Sequence, residues 1–394
     1  MKQSTQPESL TWPYFEDDER AAVEKVLRSG RVNYWTGSEA RSFESEFAGY
    51  CGAAHGVAVA NGTVALELAL RALGIGAGDD VVVTPRSFFA SAGAILLAGA
   101  RPVFADVDQN SQNVSAESLD AVRTRRTRAV LVVHHAGWPC DMDAIGDFAS
   151  NHGLFVIEDC AQAHGAAWHG AKVGSFGDAA AFSFCQDKIM TTGGEGGVLL
   201  TSDDEVHKRA WSYKDHGKNW TKVNRKDHPP GFRWLHDSLG TNWRMTEMQG
   251  AIGRCQLGKL DKWLAIRKRN AERLADGLDT VPGVRVVRPP AGLTHAWYKY
   301  YFFLRPEALR SGWDRDRVLT EIAARGVPCF TGSCPEIYNE KVFEHLGCRP
   351  RNPLPVARRL GETSLVVLVD PSRSAMQIER AVEVISVVMT GATR

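Results

Sequence analysis

Apolar residues recur along this chain in two alternating rhythms. A spacing of three and four residues (Ala22, Val23, Val26, Leu27) predicts a helix over 16–29, stopped at Gly30. A second amphipathic helix is predicted over 39–50. The rhythm then shortens. The continuous apolar run 55–60 reads as a strand and 64–73 as a helix. The exchange repeats: strand 80–84, helix 88–98, strand 101–105, helix 115–123 behind a capping Ser115, strand 129–133, helix 142–152, strand 154–157. Further on, one strand-type run ends in Ser183 and another spans 198–201, with a glycine-rich turn between them. Continuous apolar strands alternating with helices imply an α/β fold whose mostly parallel sheet is covered on both faces.

Beyond this region the pattern changes. A basic amphipathic helix over 257–269 leads to a smaller α+β unit with strands at 284–287, 300–304 and 364–369. The expected division is a large domain, 1–255, and a small one, 256–394. The charged face of the connecting helix (Lys259, Lys262, Arg267, Lys268, Arg269) is expected to be solvated. The stretch 207–228 is polar, aromatic and poor in periodicity, and reads as a loop.

Composition narrows the function classes. A chain of 394 residues exceeds one hydrophobic core, so two domains fit its length. A net charge of +1 argues against a polyanion-binding surface, so no nucleic-acid partner is expected. The eight cysteines show no C-x-x-C spacing and read as reduced cytosolic thiols; no metal site is expected. Residues 1–9 hold no apolar signal core, and no run of about 18 apolar residues exists to span a membrane. A cytoplasmic location follows as an expectation.

In sheets of this kind ligands bind at the carboxyl ends of the strands. Asn61-Gly62-Thr63, 85–88, 134–137 and 159–162 all fall there. Lys188 stands between the strand ending in Ser183 and the turn Gly193-Gly194-Glu195-Gly196-Gly197. Asp159 ends a buried strand about thirty residues upstream. A lysine and an aspartate at neighbouring strand ends are what pyridoxal phosphate chemistry needs: an amine for the Schiff base and a carboxylate to keep the pyridine nitrogen protonated. Other readings stay open. An unpaired buried carboxylate is costly, and a pyridinium, a capping role or a nearby arginine would each relieve Asp159. Gly62 and Thr63 open a helix and form either an anion cradle or a plain N-cap. Phe88 either stacks on a flat ligand or joins the core. Gln162 can donate to a ligand oxygen, and Ser183 either contacts phosphate or simply ends its strand.

Several segments together carry a resemblance to a known family. They are Asn61-Gly-Thr-Val-Ala-Leu-Glu-Leu-Ala-Leu70, Gly99-Ala-Arg-Pro-Val-Phe-Ala-Asp-Val-Asp108, Ile157-Glu-Asp-Cys-Ala-Gln-Ala-His-Gly-Ala166, Gly174-Ser-Phe-Gly-Asp-Ala179, Phe182-Ser-Phe-Cys-Gln-Asp-Lys188 with Gly194-Glu-Gly-Gly197, and Gly240-Thr-Asn-Trp-Arg-Met-Thr-Glu-Met-Gln249. From about residue 13 to about 385 the chain resembles the DegT/DnrJ/EryC1/StrS group of sugar aminotransferases. The resemblance implies the type I fold of pyridoxal-phosphate transferases, with a seven-stranded-type sheet in the large domain. It implies that Lys188 and Asp159 are catalytic, that Gly62, Thr63 and Ser183 hold the phosphate, that Phe88 stacks on the ring and that Gln162 contacts it. Asn242 would reach the cofactor of the neighbouring subunit in an obligatory homodimer, and 207–228 would cross to that same site. Arg244 is a candidate for a substrate carboxylate, with an ion pair to Glu247 as its plainer reading. Tyr338 and His134 are further candidates for substrate contact.

The implied reaction moves an amino group from glutamate or glutamine to a keto-sugar, a nucleotide-linked keto-deoxyhexose first and a keto-cyclitol second. A cofactor-binding regulator without catalysis is the third reading. Relatives that deoxygenate carry histidine in place of the lysine, so Lys188 favours transamination. The chain departs from the group's common pattern at Cys185-Gln186-Asp187, over 329–338 and at Val369-Asp370-Pro371. These departures bear on the acceptor rather than on the chemistry.

Overall fold

The computed structural model describes residues 11–228 and 230–394. The first nine residues, read above as lacking a signal core, lie outside it. Seven strands build the central sheet: β1 (His55–Val59), β2 (Asp80–Val83), β3 (Arg101–Phe104), β4 (Thr127–Val133), β5 (Phe155–Asp159), β6 (Ala179–Ser183) and β7 (Gly197–Thr201). Their order is β1-β7-β6-β5-β4-β2-β3. From β6 to β3 all pairings are parallel; β7 alone runs antiparallel to its neighbours β1 and β6. The continuous apolar runs are explained by burial on both faces: Val81, Val82, Val83 and Ala129 to Val132 are wholly inaccessible.

The parallel register places Val133 beside Asp159 and Asp159 beside Ala181, so β4, β5 and β6 end close together. Helix Gly62–Ala72 follows β1 directly and packs on β6 and β7. Its N-cap Asn61 accepts from the Val64 amide at 3.1 Å. The helix expected over 88–98 begins only at Ala90, which leaves Phe88 in the loop before it. The stretch 207–228 is more ordered than its composition suggested. Helix Asp204–Lys214 buries Ala210, Trp211 and Lys214, and a short helix follows at Trp220–Asn224.

A second, antiparallel sheet contains β8 (Val284–Arg285), β9 (Tyr300–Leu304), β10 (Cys329–Phe330) and β11 (Ser364–Val367), in the order β8-β9-β11-β10. Helices Leu260–Leu278, Arg315–Ala324 and Ala375–Ala392 build a separate core against it. The helix expected over 257–269 divides at Gly258 and Lys259 into the end of Glu247–Leu257 and the start of Leu260–Leu278. Arg267, expected in water, is only 1 % exposed. It donates to the backbone oxygens of Trp297 and Tyr298 at 3.3 and 3.1 Å. Lys259 is held by Glu16, Asp18 and Glu19 at 2.6–2.9 Å. Among the described residues no helix is long and apolar enough to cross a membrane.

Candidate active site

The ends of β5 and β6, the start of helix Gly62–Ala72 and the loop before Ala90 surround one cavity of about 500 Å³. Gly62, Thr63, Phe88, Asp159, Gln162, Ser183 and Lys188 all line it. A larger hollow of about 630 Å³, lined by Val327, Pro328, Met376 and Ile378 among others, lies on the small sheet and contains neither a carboxylate nor an apposed acid–base pair.

Asp159 is 4 % exposed, and among the described residues no basic side chain donates to it. Its Oδ2 accepts from Ser91 Oγ at 2.7 Å and its Oδ1 from the Ala161 amide at 3.1 Å. Ser91 is in turn within 3.0 Å of Ser87 Oγ. Burial pushes the Asp159 carboxyl above its usual range, while Ser91, Ala161 and the more distant Lys188 pull it back. A desolvated anion facing a cavity with so little compensation is complementary to a cation placed in that cavity.

The preceding residue on β5 shows the contrast. Glu158 Oε1 accepts from the amides of Phe176 and Gly177 at 2.9 and 2.8 Å, and Oε2 from Gly174 at 2.8 Å. His134 Nε2 completes the set at 3.0 Å. Because His134 Nδ1 accepts from the Cys140 amide at 3.0 Å, Nε2 carries the proton and donates. Burial works against ionisation of Glu158, but these hydrogen bonds and His134 outweigh it and hold the carboxyl below its usual range. His134, Glu158 and Cys160 are close enough to suggest a metal site. The saturated hydrogen bonding of Glu158 and His134 accounts for their arrangement without an ion. Both nitrogens of His134 are thus engaged beneath the sheet end, and His134 does not reach the cavity as a substrate contact.

Gly62 is required by close approach. A Cβ there would stand 2.5 Å from Ser183 Cβ. The helix start consequently sits directly on Ser183, and Gly62 and Thr63 bring the amide donors of a helix N-terminus and a hydroxyl to the cavity wall, a donor set complementary to an anion. Gln162 Oε1 accepts from the Ala136 amide at 2.8 Å, which leaves its NH₂ end as donor. Phe88 is 68 % exposed and is one of the residues lining the cavity.

Lys188 lies in the turn after β6, its amide bonded to Cys185 O at 3.0 Å and its carbonyl accepting from Trp12 Nε1 at 2.8 Å. Its Nζ is 3.6 Å from Asp187 Oδ1 and 3.5 Å from Tyr298 Oη. Sequence reasoning passed over Asp187, Tyr298, Ser87, Ser91 and Trp12. Asp187 adjoins the lysine and was noted only as a departure; Tyr298 is 110 residues away and carries no local signal.

Three other candidates lie elsewhere. Tyr338 is 2 % exposed, donates to Glu336 and accepts from the Leu354 amide at 2.9 Å, so it is a core residue with an engaged hydroxyl and not a substrate contact. Arg244 bonds Asp215 at 2.8 Å, not Glu247. Glu247 caps another helix, accepting from the Glu39 and Ala40 amides. Asn242 is exposed, bridged through its backbone to Asp215, and is not part of the cavity wall.

The cavity therefore joins an anion cradle, an uncompensated buried acid, an exposed ring and an amine. Phosphate, protonated pyridine, flat ring and aldehyde of pyridoxal phosphate match these four in kind. Comparison with known proteins agrees. The family model described as DegT/DnrJ/EryC1/StrS aminotransferase family matches residues 13–389. An aminotransferase from Psychrobacter cryohalolentis of known structure superposes with a TM-score of 0.95 at 49 % identity, covering 97 % of this chain and 99 % of that one. The UDP-N-acetyl-3-dehydro-α-D-glucosamine 3-aminotransferase of Acidithiobacillus ferrooxidans is 36 % identical over 94 % of this chain and 93 % of its own. A protein named as a putative L-glutamine:3-amino-2,3-dideoxy-scyllo-inosose aminotransferase from Streptoalloteichus tenebrarius is 38 % identical over 84 % and 78 %.

Proposed function

Since the chain belongs to the DegT/DnrJ/EryC1/StrS aminotransferase family, we propose that it aminates a nucleotide-linked keto-sugar, with glutamate or glutamine as donor. It is a pyridoxal-phosphate aminotransferase of amino-sugar biosynthesis. The carrying observation is that Lys188 and the uncompensated Asp159 face the same cavity from neighbouring strand ends. A nucleotide sugar is favoured as acceptor because the relative that acts on one matches nearly end to end. The relative named for a cyclitol supports the second reading, a keto-cyclitol.

When bound, the cofactor supplies an aldehyde that condenses with amines and a ring that accepts an electron pair. Asp159 would hold the ring nitrogen as a cation. Gly62, Thr63 and Ser183 would hold the phosphate, Phe88 would cover the ring, and the NH₂ of Gln162 would serve as a donor to the ring oxygen. Lys188 Nζ takes a proton at the donor's Cα and later returns it. Asn242 belongs to the site of a second copy, which fits its exposure on this one. A homodimer in the cytoplasm is part of the same reading.

The test supplies the loaded protein with glutamate and, in separate reactions, a UDP-linked 3-keto-N-acetylhexosamine and a keto-inositol. Amine-bearing product is read by mass spectrometry. Product from the sugar nucleotide alone is the expected result; product from the inositol alone transfers the conclusion to the second reading. K188A is expected to lower turnover by at least about 10²–10⁴, the range for a lost general acid–base. Full activity in K188A would remove the proposal.

A further inference from the structure

We propose that Asp187 and Tyr298 are positioning residues that hold the Lys188 amine between its reactions and govern its protonation. The proposal rests on the aminotransferase reading of Lys188. One carboxylate is shared between two donors. Lys188 Nζ is 3.6 Å from Asp187 Oδ1, and Tyr298 donates its hydroxyl to Asp187 Oδ2. Tyr298 Oη is itself 3.5 Å from Nζ, which closes a triangle.

The framework holds this triangle from both sides. Trp12 Nε1 donates to the Lys188 carbonyl at 2.8 Å, and Arg267 donates to the Tyr298 carbonyl at 3.1 Å. The Arg267 guanidinium lies 5.0 Å from the Trp12 ring centroid, so the two clamps touch one another. An incidental surface ion pair, worth little on its own, lacks such backing. Burial of Arg267 lowers its pKa to about 10, still far above neutrality, so it remains a cation.

The chemistry explains the pairing. The proton taken from the donor's Cα resides on Nζ until it is returned to the substrate, and the resulting ammonium stands beside Asp187. A bare carboxylate would bind that ammonium too firmly to let the proton go. Tyr298 takes up part of the carboxylate's charge. Tyr298 keeps its own proton, since burial and then Asp187 hold the phenol far above its usual range. Burial opposes ionisation of Asp187, yet Lys188, Tyr298 and Lys299 together hold its carboxyl below the usual range. The surrounding charges complete the setting. Lys299 is 3.9 Å from Asp187, Asp159 and Glu195 stand on the cavity wall, and His164, buried behind, is pushed down to about 3 and stays neutral.

The test follows the visible absorbance of the pyridoxal-phosphate-loaded protein against pH. D187N is expected to move the midpoint to lower pH by about one unit, the scale set by a single opposite charge nearby. Y298F, which frees the carboxylate for its cation, is expected to move it to higher pH, and D187E to restore most of the wild-type value. In turnover with glutamate, D187N is expected to lower kcat by about tenfold or more with little change in KM. A merely structural role would reduce thermal stability or cofactor retention and leave the midpoints alone. Unmoved midpoints, or shifts of one sign in both variants, overturn the proposal. If the wild-type protein develops no visible band, or K188A keeps it, the underlying aminotransferase reading fails instead.

Discussion

Adjacent carboxylates on β5 illustrate how environment, not residue type, assigns a role. Glu158 is surrounded by donors and held ionised; Asp159 has two neutral donors and a cavity in front of it. The pH dependence of stability should differ accordingly. Burial raises the folded-state pKa of Asp159 above its unfolded value. Its contribution to stability is therefore present at pH values below the unfolded pKa and is lost as pH rises through the folded one. D159N in the cofactor-free protein is expected to raise the melting temperature at pH 7 by about 1–3 °C and to leave it unchanged well below pH 4. With saturating pyridoxal phosphate the order should reverse, because the variant loses the anion proposed to hold the ring. Differential scanning fluorimetry with and without cofactor reads both signs. A variant less stable than wild type in the cofactor-free state at pH 7 would show that Asp159 is already compensated.

At the level of elements, the start of helix Gly62–Ala72 is the decisive contact. Asn61-Gly62-Thr63 was legible as a helix opening with either an anion cradle or a cap, and the cap is present. Asn61 caps Val64, and the helix end lies on the cavity wall. What the sequence did not disclose is that Gly62 touches Ser183, 121 positions away along the chain. In G62A the added methyl would meet Ser183 Cβ at 2.5 Å and Oγ at 3.0 Å. Overpacking of this kind costs about 1–3 kcal/mol. The expected result is a cofactor dissociation constant raised about tenfold, with far-ultraviolet circular dichroism unchanged. An unaltered dissociation constant would mean that the helix start does not define the phosphate site. The loop at Phe88 teaches the opposite lesson. Apolar spacing extended the helix back to residue 88, whereas the structure begins it at Ala90 and leaves the ring exposed at the cavity mouth.

For the whole molecule, the small sheet and the large one are joined by shared apolar packing and by buried cations. Tyr301, Phe303 and Val366 of the small sheet pack with Val82, Val130 and Val132 of the large one. Arg86, wholly buried, reaches Gln112 at 2.8 Å and Ser364 at 3.0 Å. Arg267 clamps the backbone that carries Tyr298. The site proposed above extends further, to a second copy. If Asn242 serves the partner's cofactor, K188A and N242A are each impaired alone, but a mixture of the two assembles some dimers with one intact site. Unfolding and refolding the two together is expected to recover up to roughly a quarter of wild-type activity, since random pairing gives half heterodimers with one good site each. No recovery in such mixtures, with dimer formation verified by light scattering, would mean that the site is complete within one chain.

Local composition alone determined the alternation of strands and helices, the expectation of a parallel sheet, and the placement of Gly62, Thr63, Asp159, Gln162, Ser183 and Lys188 at strand ends. Period and residue type encode burial and direction over a few residues, and the parallel topology then forces those ends together. Tertiary packing alone decided the rest. It took His134 and Tyr338 out of the site by engaging their polar atoms, turned Arg244 from Glu247 to Asp215, and buried Arg267. It also brought Tyr298 to Asp187 across 111 positions. These outcomes depend on which hydrogen-bond partner arrives from a distant segment, and no short-range pattern carries that information.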